Sequence, residues 1–161
     1  MQDHRGLTRA VTLWRIGDPE GTYPIWNGAG AAAYAGRWNH PGQPVIHAAT
    51  SYPLALLEVL AHWNGKMPVR QHYLSAEVPV ATTYEVLQPA DHPGWDGDDP
   101  SVPRAFGSDW LRSRRSALLF VPSVIAPMCQ NVLVNPAHPD AARIDVGLET
   151  PVPWDRRLLR N

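Results

Sequence analysis

A chain of 161 residues with 44% hydrophobic and 18% charged residues can bury a core of its own, which excludes global disorder and predicts one domain over residues 1–161. The formal net charge is −1, so no basic face is available to neutralise a phosphate backbone, and direct nucleic-acid binding is not expected. One cysteine, Cys129, cannot form an internal disulfide and reads as a small, partly buried residue; no run nears the ~20 apolar residues that span a bilayer, so a cytoplasmic protein is expected.

Seventeen prolines and seven tryptophans are the unusual counts. Proline removes a backbone donor and stops helices, so long helices should be few, and the tryptophans supply core area to a β-rich body. In chain order, β-branched and aromatic residues ahead of Gly17 and Asp18 predict a strand over 11–16. Residues 17–44 are rich in Gly, Ala, Pro and Asn and read as irregular, with the compact signal Gly36-Arg37-Trp38-Asn39 inside them. A short strand is expected over 45–49. The clearest helix covers 52–63: Ser51 or Thr50 can cap it, Pro53 is tolerated in its first turn, and Asn64-Gly65 offers a stop. Strands follow over 73–80 and 83–87. Residues 89–104, full of Pro, Gly and Asp, read as a long surface loop, a feature that is often functional inside a compact domain. A short helix is predicted to begin near Ser108, and strands over 117–121, 131–134 and 144–148. Several strands with two or three helices make an α+β domain.

Glu58 is the local anomaly. At helical spacing Leu54, Leu57 and Ala61 form one apolar stripe and Leu56, Leu60 and Trp63 a second, which predicts a largely buried helix. An unpaired carboxylate buried there costs roughly several kcal/mol, so Glu58 needs partners or an opening to a cleft. The other reading puts it on a narrow solvent-facing strip with Ser51, Tyr52 and His62. Arg37 sits among small residues that let a ligand approach, where its guanidinium could fork onto a diphosphate; it could equally pin a loop to a carbonyl. Arg15 alternates with apolar neighbours on the first strand and faces either solvent or the same cleft. Ser123, at the end of the 117–121 strand, suits turn chemistry or a ligand contact, and a lone His47 suits a hydrogen-bonded structural role. The seven histidines show no HExxH or Cys/His ligand spacing, so no metal is expected, and no serine sits in GxSxG.

The landmarks occur in a definite order: Leu13-Trp14-Arg15-Ile16, Gly36-Arg37-Trp38-Asn39, Val45 through Leu56-Leu57-Glu58, Phe106-Gly107-Ser108-Asp109-Trp110-Leu111, Leu118 through Ser123, Asn131-Val132-Leu133-Val134-Asn135-Pro136 with His138-Pro139-Asp140, and Trp154-Asp155-Arg156-Arg157-Leu158. This series resembles the RES domain family, named for its arginine, glutamate and serine, across roughly residues 11–158, one domain's length. The resemblance implies an ADP-ribosyltransferase-like split β-sheet core with short flanking helices and a cleft for NAD⁺ as co-substrate. It implies the toxin of a type II toxin–antitoxin pair with an Xre-like antitoxin. The activity implied is scission of the nicotinamide–ribose bond, with water, phosphate or a protein side chain as acceptor. The family arginine falls on Arg37, the glutamate on Glu58 and the serine on Ser123. Arg15 matches a further arginine near the dinucleotide, and Asn135 is a candidate at the cleft.

In this mapping Glu58 stabilises the charge that develops on the ribose, and Arg37 with Arg15 pairs with the diphosphate. Ser123 bonds the ribose or nicotinamide side. One departure stands out: where many members place a tyrosine, this chain has His47 in Val45-Ile46-His47, an imidazole able to stack on nicotinamide or bond the ribose. The rival reading is a non-catalytic module that binds a nucleotide or the antitoxin. An RNA-cleaving toxin is poorly served by the balanced charge.

Overall fold

The structure, a computed structural model, describes residues 5–63 and 68–160. Its strands are β1 (Arg5–Gly6), β2 (Val11–Gly17), β3 (Ile46–Ala49), β4 (His72–Val78), β5 (Thr83–Val86), β6 (Leu118–Pro122), β7 (Gln130–Val134), β8 (Asp145–Val146) and β9 (Thr150–Pro151). The helices are α1 (Ala29–Ala33), α2 (Tyr52–Ala61) and α3 (Ser101–Ser113). The strands join one sheet in the order β1-β5-β6-β7-β3-β2-β4-β8, with β9 also on β4. Every pairing is antiparallel except β5 with β6.

β6 and β7 lie mid-sheet and bury both faces. Leu118, Val132 and Val134 point into a cluster with Leu13, Ile46, Ala76 and Val78, while Leu119, Val121 and Leu133 point oppositely into one with Trp38, Val45, Trp95 and Trp110. Continuous apolar runs in these two strands are therefore what a doubly covered position demands. A third, smaller cluster of Ala49, Leu54 and Ala55, with Trp14 and Ile16 against it, seats α2 on the sheet.

The sheet is held unevenly at β2. This strand pairs with β4 from Val11↔Val78 to Gly17↔His72, but with β3 only at Trp14↔Ala49. Beyond that point β2 and β3 part, and the gap between them is the mouth of the site. The α+β class and the split sheet agree with the sequence reading.

Other expectations need correcting. α3 starts at Ser101, not near Ser108, because Pro103 falls in a first turn where its missing N–H costs nothing. Gly107, mid-helix, is there for packing: a Cβ on it would lie 1.9 Å from the Trp38 carbonyl oxygen. Residues 89–104 are not simply a surface loop, since Trp95 is buried and the last four residues of the span are helical. α2 is less buried than its two apolar stripes predict: Leu54 and Ala55 are buried, but Leu57 is 42% exposed. Only one side of the helix has sheet to lie against. Cys129 is exposed, in the loop joining β6 to β7. The short helix α1 and the two-residue strands β1 and β9 carried no periodic signal, and the predicted Asn64-Gly65 stop lies outside the described residues.

Candidate active site

α2 delivers the carboxylate. Ser51 caps the helix, its Oγ accepting from the Leu54 N–H at 3.3 Å, and Pro53 supplies a preset first turn. The cap fixes which helix face meets the sheet, and Glu58 comes out at the edge of that face with 26% of its side chain exposed. Its Oε1 accepts two hydrogen bonds, from Ser123 Oγ at 2.8 Å and from Asn131 Nδ2 at 2.6 Å. Oε2 accepts no hydrogen bond among the described residues. It lies 3.9 Å from His62 Nδ1, whose proton goes to the Glu58 carbonyl at 2.8 Å.

The β6–β7 hairpin supplies both donors. Pro122↔Gln130 is its last pair, and the Ser123 N–H closes the loop onto the Cys129 carbonyl at 3.0 Å. Ser123 is wholly buried, and its Oγ accepts from the Ala126 N–H at 3.1 Å while donating to Glu58. Asn131 follows on β7, facing Ala49 across β3. The small Ala49 and Ala55 let α2 come close enough for the contact.

Arg15 and His47 form the opposite wall, where β2 and β3 part. Arg15 donates from Nε to the Ile25 carbonyl and from Nη1 to the His47 carbonyl, each at 2.5 Å. No carboxylate pairs with it among the described residues. Burial lowers its pKa from the ordinary arginine value, yet a guanidinium stays charged at neutral pH. His47 is pushed down to about 4, first by burial and then by the neighbouring positive charges of Arg15 and His62, so its imidazole is neutral at physiological pH. The cleft enclosed by Trp14, Arg15, His47, Glu58 and Asn131 has a volume of about 330 Å³. It offers a half-buried cation with no carboxylate partner, a neutral ring and a carboxylate with one oxygen unbonded among the described residues. That is a place for an anionic ligand carrying a group that becomes positive near Glu58.

The Gly36-Arg37-Trp38-Asn39 segment stands beside this cleft as a clamp. Asn39, fully buried, donates from Nδ2 to the carbonyls of Ala31, His40 and Gln43 and accepts from the Gly36 N–H at 2.9 Å. Arg104 of α3 holds the Gly36 carbonyl, and a Cβ on Gly36 would sit 3.8 Å from the His47 ring. Arg37 donates from Nη1 to the carbonyls of Trp95 at 3.0 Å and Gly97 at 2.8 Å. Of its two sequence readings, the structure displays the loop-pinning one; its Nε and Nη2 make no hydrogen bond among the described residues. A second cavity, of about 430 Å³, lies beside Glu85, His92 and Phe106. Arg115, whose guanidinium lies over the Phe106 ring, is already paired with Glu85 at 2.6 Å and Asp109 at 2.8 Å, and the cation that lines this cavity, Arg5, is exposed to solvent.

Of the residues singled out from sequence, Arg15, His47 and Glu58 line one cleft and Ser123 stands directly behind Glu58. Arg37 is a neighbour whose side chain turns to the 95–97 loop. Asn135 is elsewhere, at the far end of β7. Its Nδ2 donates to the Leu111 carbonyl of α3 at 3.0 Å and its Oδ1 accepts from the Ala137 N–H at 3.1 Å, so one polar group holds α3 and the other the turn that follows β7. Ser123 also differs from the expected ligand contact: its hydroxyl is enclosed and directed at Glu58. Sequence reasoning missed Asn131, which stands with Gln130 ahead of the apolar run of β7 and carries no signal that separates it from a solvent-facing residue. Among the described residues no cluster of three or more His, Cys, Asp or Glu is arranged to hold a metal ion, and no helix is long and apolar enough to cross a membrane.

Comparison with known proteins places this geometry in a family. The RES domain model matches residues 12–155. A protein named Prs ADP-ribosylating toxin from Sphingobium sp. is 42% identical over 157 residues, covering 93% of this chain and 98% of its own length. A protein named Toxin Res from Pseudomonas putida is 38% identical over 151 residues, covering 92% and 99% respectively. Among solved structures, a chain of the crystal structure of the M.tuberculosis MbcT–MbcA toxin–antitoxin complex superposes with a TM-score of 0.71 at 19% identity, over 91% of this chain and 86% of that one. The chain belongs to the RES domain family and groups with its toxins.

Proposed function

We propose that this chain is the toxin of a toxin–antitoxin pair and that it breaks the nicotinamide–ribose bond of NAD⁺ in the cleft between β2 and β3. The observation that carries the reading is that Glu58, with Oε2 unbonded among the described residues, and the half-buried Arg15, with no carboxylate partner among them, line one small cleft. A cation held partly out of water without a counter-charge is destabilised, and a diphosphate docking on it would relieve that cost. The relative named as an ADP-ribosylating toxin supports an NAD⁺-using chemistry of this kind. The cleft volume falls at the lower end of the ~300–1,000 Å³ usual for small-molecule sites, consistent with a pocket for the nicotinamide riboside half.

In this mechanism Arg15, with the open Nε and Nη2 of Arg37, fixes the diphosphate and so the direction of the dinucleotide. His47 packs against nicotinamide; being neutral, it does not repel the cationic ring. As the C1′–N bond breaks, its electron pair goes to the ring nitrogen and neutral nicotinamide leaves. The ribose carbon becomes oxocarbenium-like, and the Glu58 carboxylate beside the sugar stabilises that charge. Ser123 acts through Glu58 rather than on the ligand. Attack by water, with loss of its proton, gives ADP-ribose; phosphate gives ADP-ribose 1″-phosphate; a side chain of a target protein gives a modified acceptor.

An Xre-like antitoxin is the proposed partner, docking over this cleft; a complex that still admits NAD⁺ freely would sink that placement. The deciding experiment is purified protein with NAD⁺, with and without phosphate, following nicotinamide and product mass. Nicotinamide release without added protein supports the reading, and the product mass names the acceptor. Release only in lysate with labelled NAD⁺ assigns a protein acceptor. Binding without release in either setting replaces the enzyme with a nucleotide-binding module.

A further inference from the structure

The Glu58 carboxylate is held asymmetrically, and two side chains from one hairpin are responsible. Ser123 alone would fix one point of a side chain that has three rotatable bonds. Its direction is set because a carboxylate oxygen can only accept: the hydroxyl donates its proton to Oε1 and takes the Ala126 N–H on a lone pair. Asn131 then approaches the same oxygen from β7, where pairing with Ala49 on β3 and Val121 on β6 sets its height along the strand. Two donors on a single oxygen fix the plane of the carboxylate as well as its position. They also occupy Oε1, so the charge available to a ligand is offered through Oε2, the oxygen that accepts no hydrogen bond among the described residues.

We propose that Asn131 is a positioning residue for catalysis: together with Ser123 it holds Oε1 of Glu58 so that Oε2 is the oxygen presented to the reacting ribose. The proposal rests on the NAD⁺-cleaving reading above. A reacting group displaced by about 1 Å loses on the order of a hundredfold in rate, so the clamp governs turnover more than binding. The diphosphate contacts lie on the opposite wall at Arg15 and are untouched by it.

The test compares Asn131→Leu, Asn131→Asp and wild type for nicotinamide release, with NAD⁺ affinity measured by calorimetry and folding by thermal melting. Asn131→Leu removes the donor, and kcat should fall about ten- to a hundredfold while KM and affinity stay within about threefold. Asn131→Asp keeps size and shape but sets an acceptor against the carboxylate, and it should be the worse of the two. A residue needed only for packing would give the reverse order. In the Glu58→Gln background an amide donor faces the introduced carboxylate, so the Glu58→Gln, Asn131→Asp double variant should melt higher than Asn131→Asp alone. Asn131→Asp with wild-type kcat, or a fall in kcat matched by an equal rise in KM, overturns the proposal while leaving the NAD⁺ reading intact. Wild-type protein that releases no nicotinamide overturns that reading and this role with it.

Discussion

The Ser123 hydroxyl meets the Glu58 carboxylate at 2.8 Å although 65 residues separate them in the chain. The contact ties the β6–β7 hairpin to α2, and the Asn131 amide of the same hairpin reaches the same carboxylate oxygen. Ser123→Ala would leave the Ala126 N–H without its acceptor and Oε1 with one donor fewer. A lost stability of about 1–3 kcal/mol is expected, together with a fall of roughly tenfold or more in kcat. Urea melts and nicotinamide release on the same protein check both parts. An unchanged kcat in a normally folded variant would make the hydroxyl a purely structural feature.

Glu58→Gln separates charge from shape. Oε1 of the amide can still accept from Ser123 and Asn131, so the fold and NAD⁺ affinity should hold within a few-fold. The negative charge opposite the ribose is gone, and kcat should fall by about 10²–10³, the scale set by losing one transition-state-stabilising group. Calorimetry and product analysis read the two quantities independently. A variant that consumes NAD⁺ at the wild-type rate removes Glu58 from the mechanism.

Arg15 and Arg37 are expected to act on binding, by different amounts. Arg15→Gln takes away the half-buried guanidinium of the cleft and should raise KM for NAD⁺ at least about tenfold with a smaller change in kcat. Arg37→Ala should weaken binding too, but it also frees the Trp95 and Gly97 carbonyls, so a lower melting temperature is expected with it. Arg37→Lys is not a mild substitution, because one ammonium cannot serve two carbonyls and a diphosphate at once. A normal KM in both Arg15→Gln and Arg37→Ala would exclude a diphosphate on this wall.

Much of this arrangement was legible in the chain, and what was not has physical causes. β2, β3, β5, β6 and β7 announced themselves because half-buried or doubly buried strands demand apolar alternation or apolar runs. Glu58 was visible as a charge in an apolar helix, and Ser51 with Pro53 marked where that helix begins. Asn131 escaped because a single polar residue at a strand end carries the same signal as a solvent-facing one. Asn135, four residues on, drew attention through its place in a motif, yet its amide ties α3 to the turn after β7. Arg37 shows the same limit. Its neighbours forecast a close approach, but whether carbonyls or a ligand would come near depended on Trp95, 58 residues away. The start of α3 was misread because Pro and Gly lower helix propensity, and neither the first-turn position of Pro103 nor the contact of Gly107 with Trp38 can be seen without the fold.

Gly107→Ala tests that contact. The added methyl would overlap the Trp38 carbonyl, backbone against backbone, so neither side can yield by turning a rotamer. The variant should lose about 3 kcal/mol or more despite alanine's better helix propensity, because the clash outweighs the ~1 kcal/mol that glycine ordinarily costs in a helix. A thermal melt decides the sign. A more stable Gly107→Ala protein would mean that α3 and the Trp38 segment are not in contact.

His47 sets a pH dependence on the fold itself. Its pKa is about 4 in the folded protein, against 6.5 when exposed, because burial and then the charges of Arg15 and His62 disfavour the imidazolium. Above pH 6.5 neither folded nor unfolded chain holds the proton, and the stability belonging to neutral His47 is fully present. As pH falls from 6.5 to about 4 the unfolded chain takes up a proton that the folded one refuses, and stability drops by up to about 1.4 kcal/mol per pH unit. Across the window the loss sums to about 3 kcal/mol, and below pH 4 this residue adds no further change. His47→Gln cannot take up that proton. Urea melts of both proteins between pH 7.5 and 4.5 should therefore show wild type losing stability more steeply, with the gap opening below pH 6.5. Parallel curves would mean that the imidazole can be protonated in place, and the neutral ring proposed beside the nicotinamide would have to be abandoned.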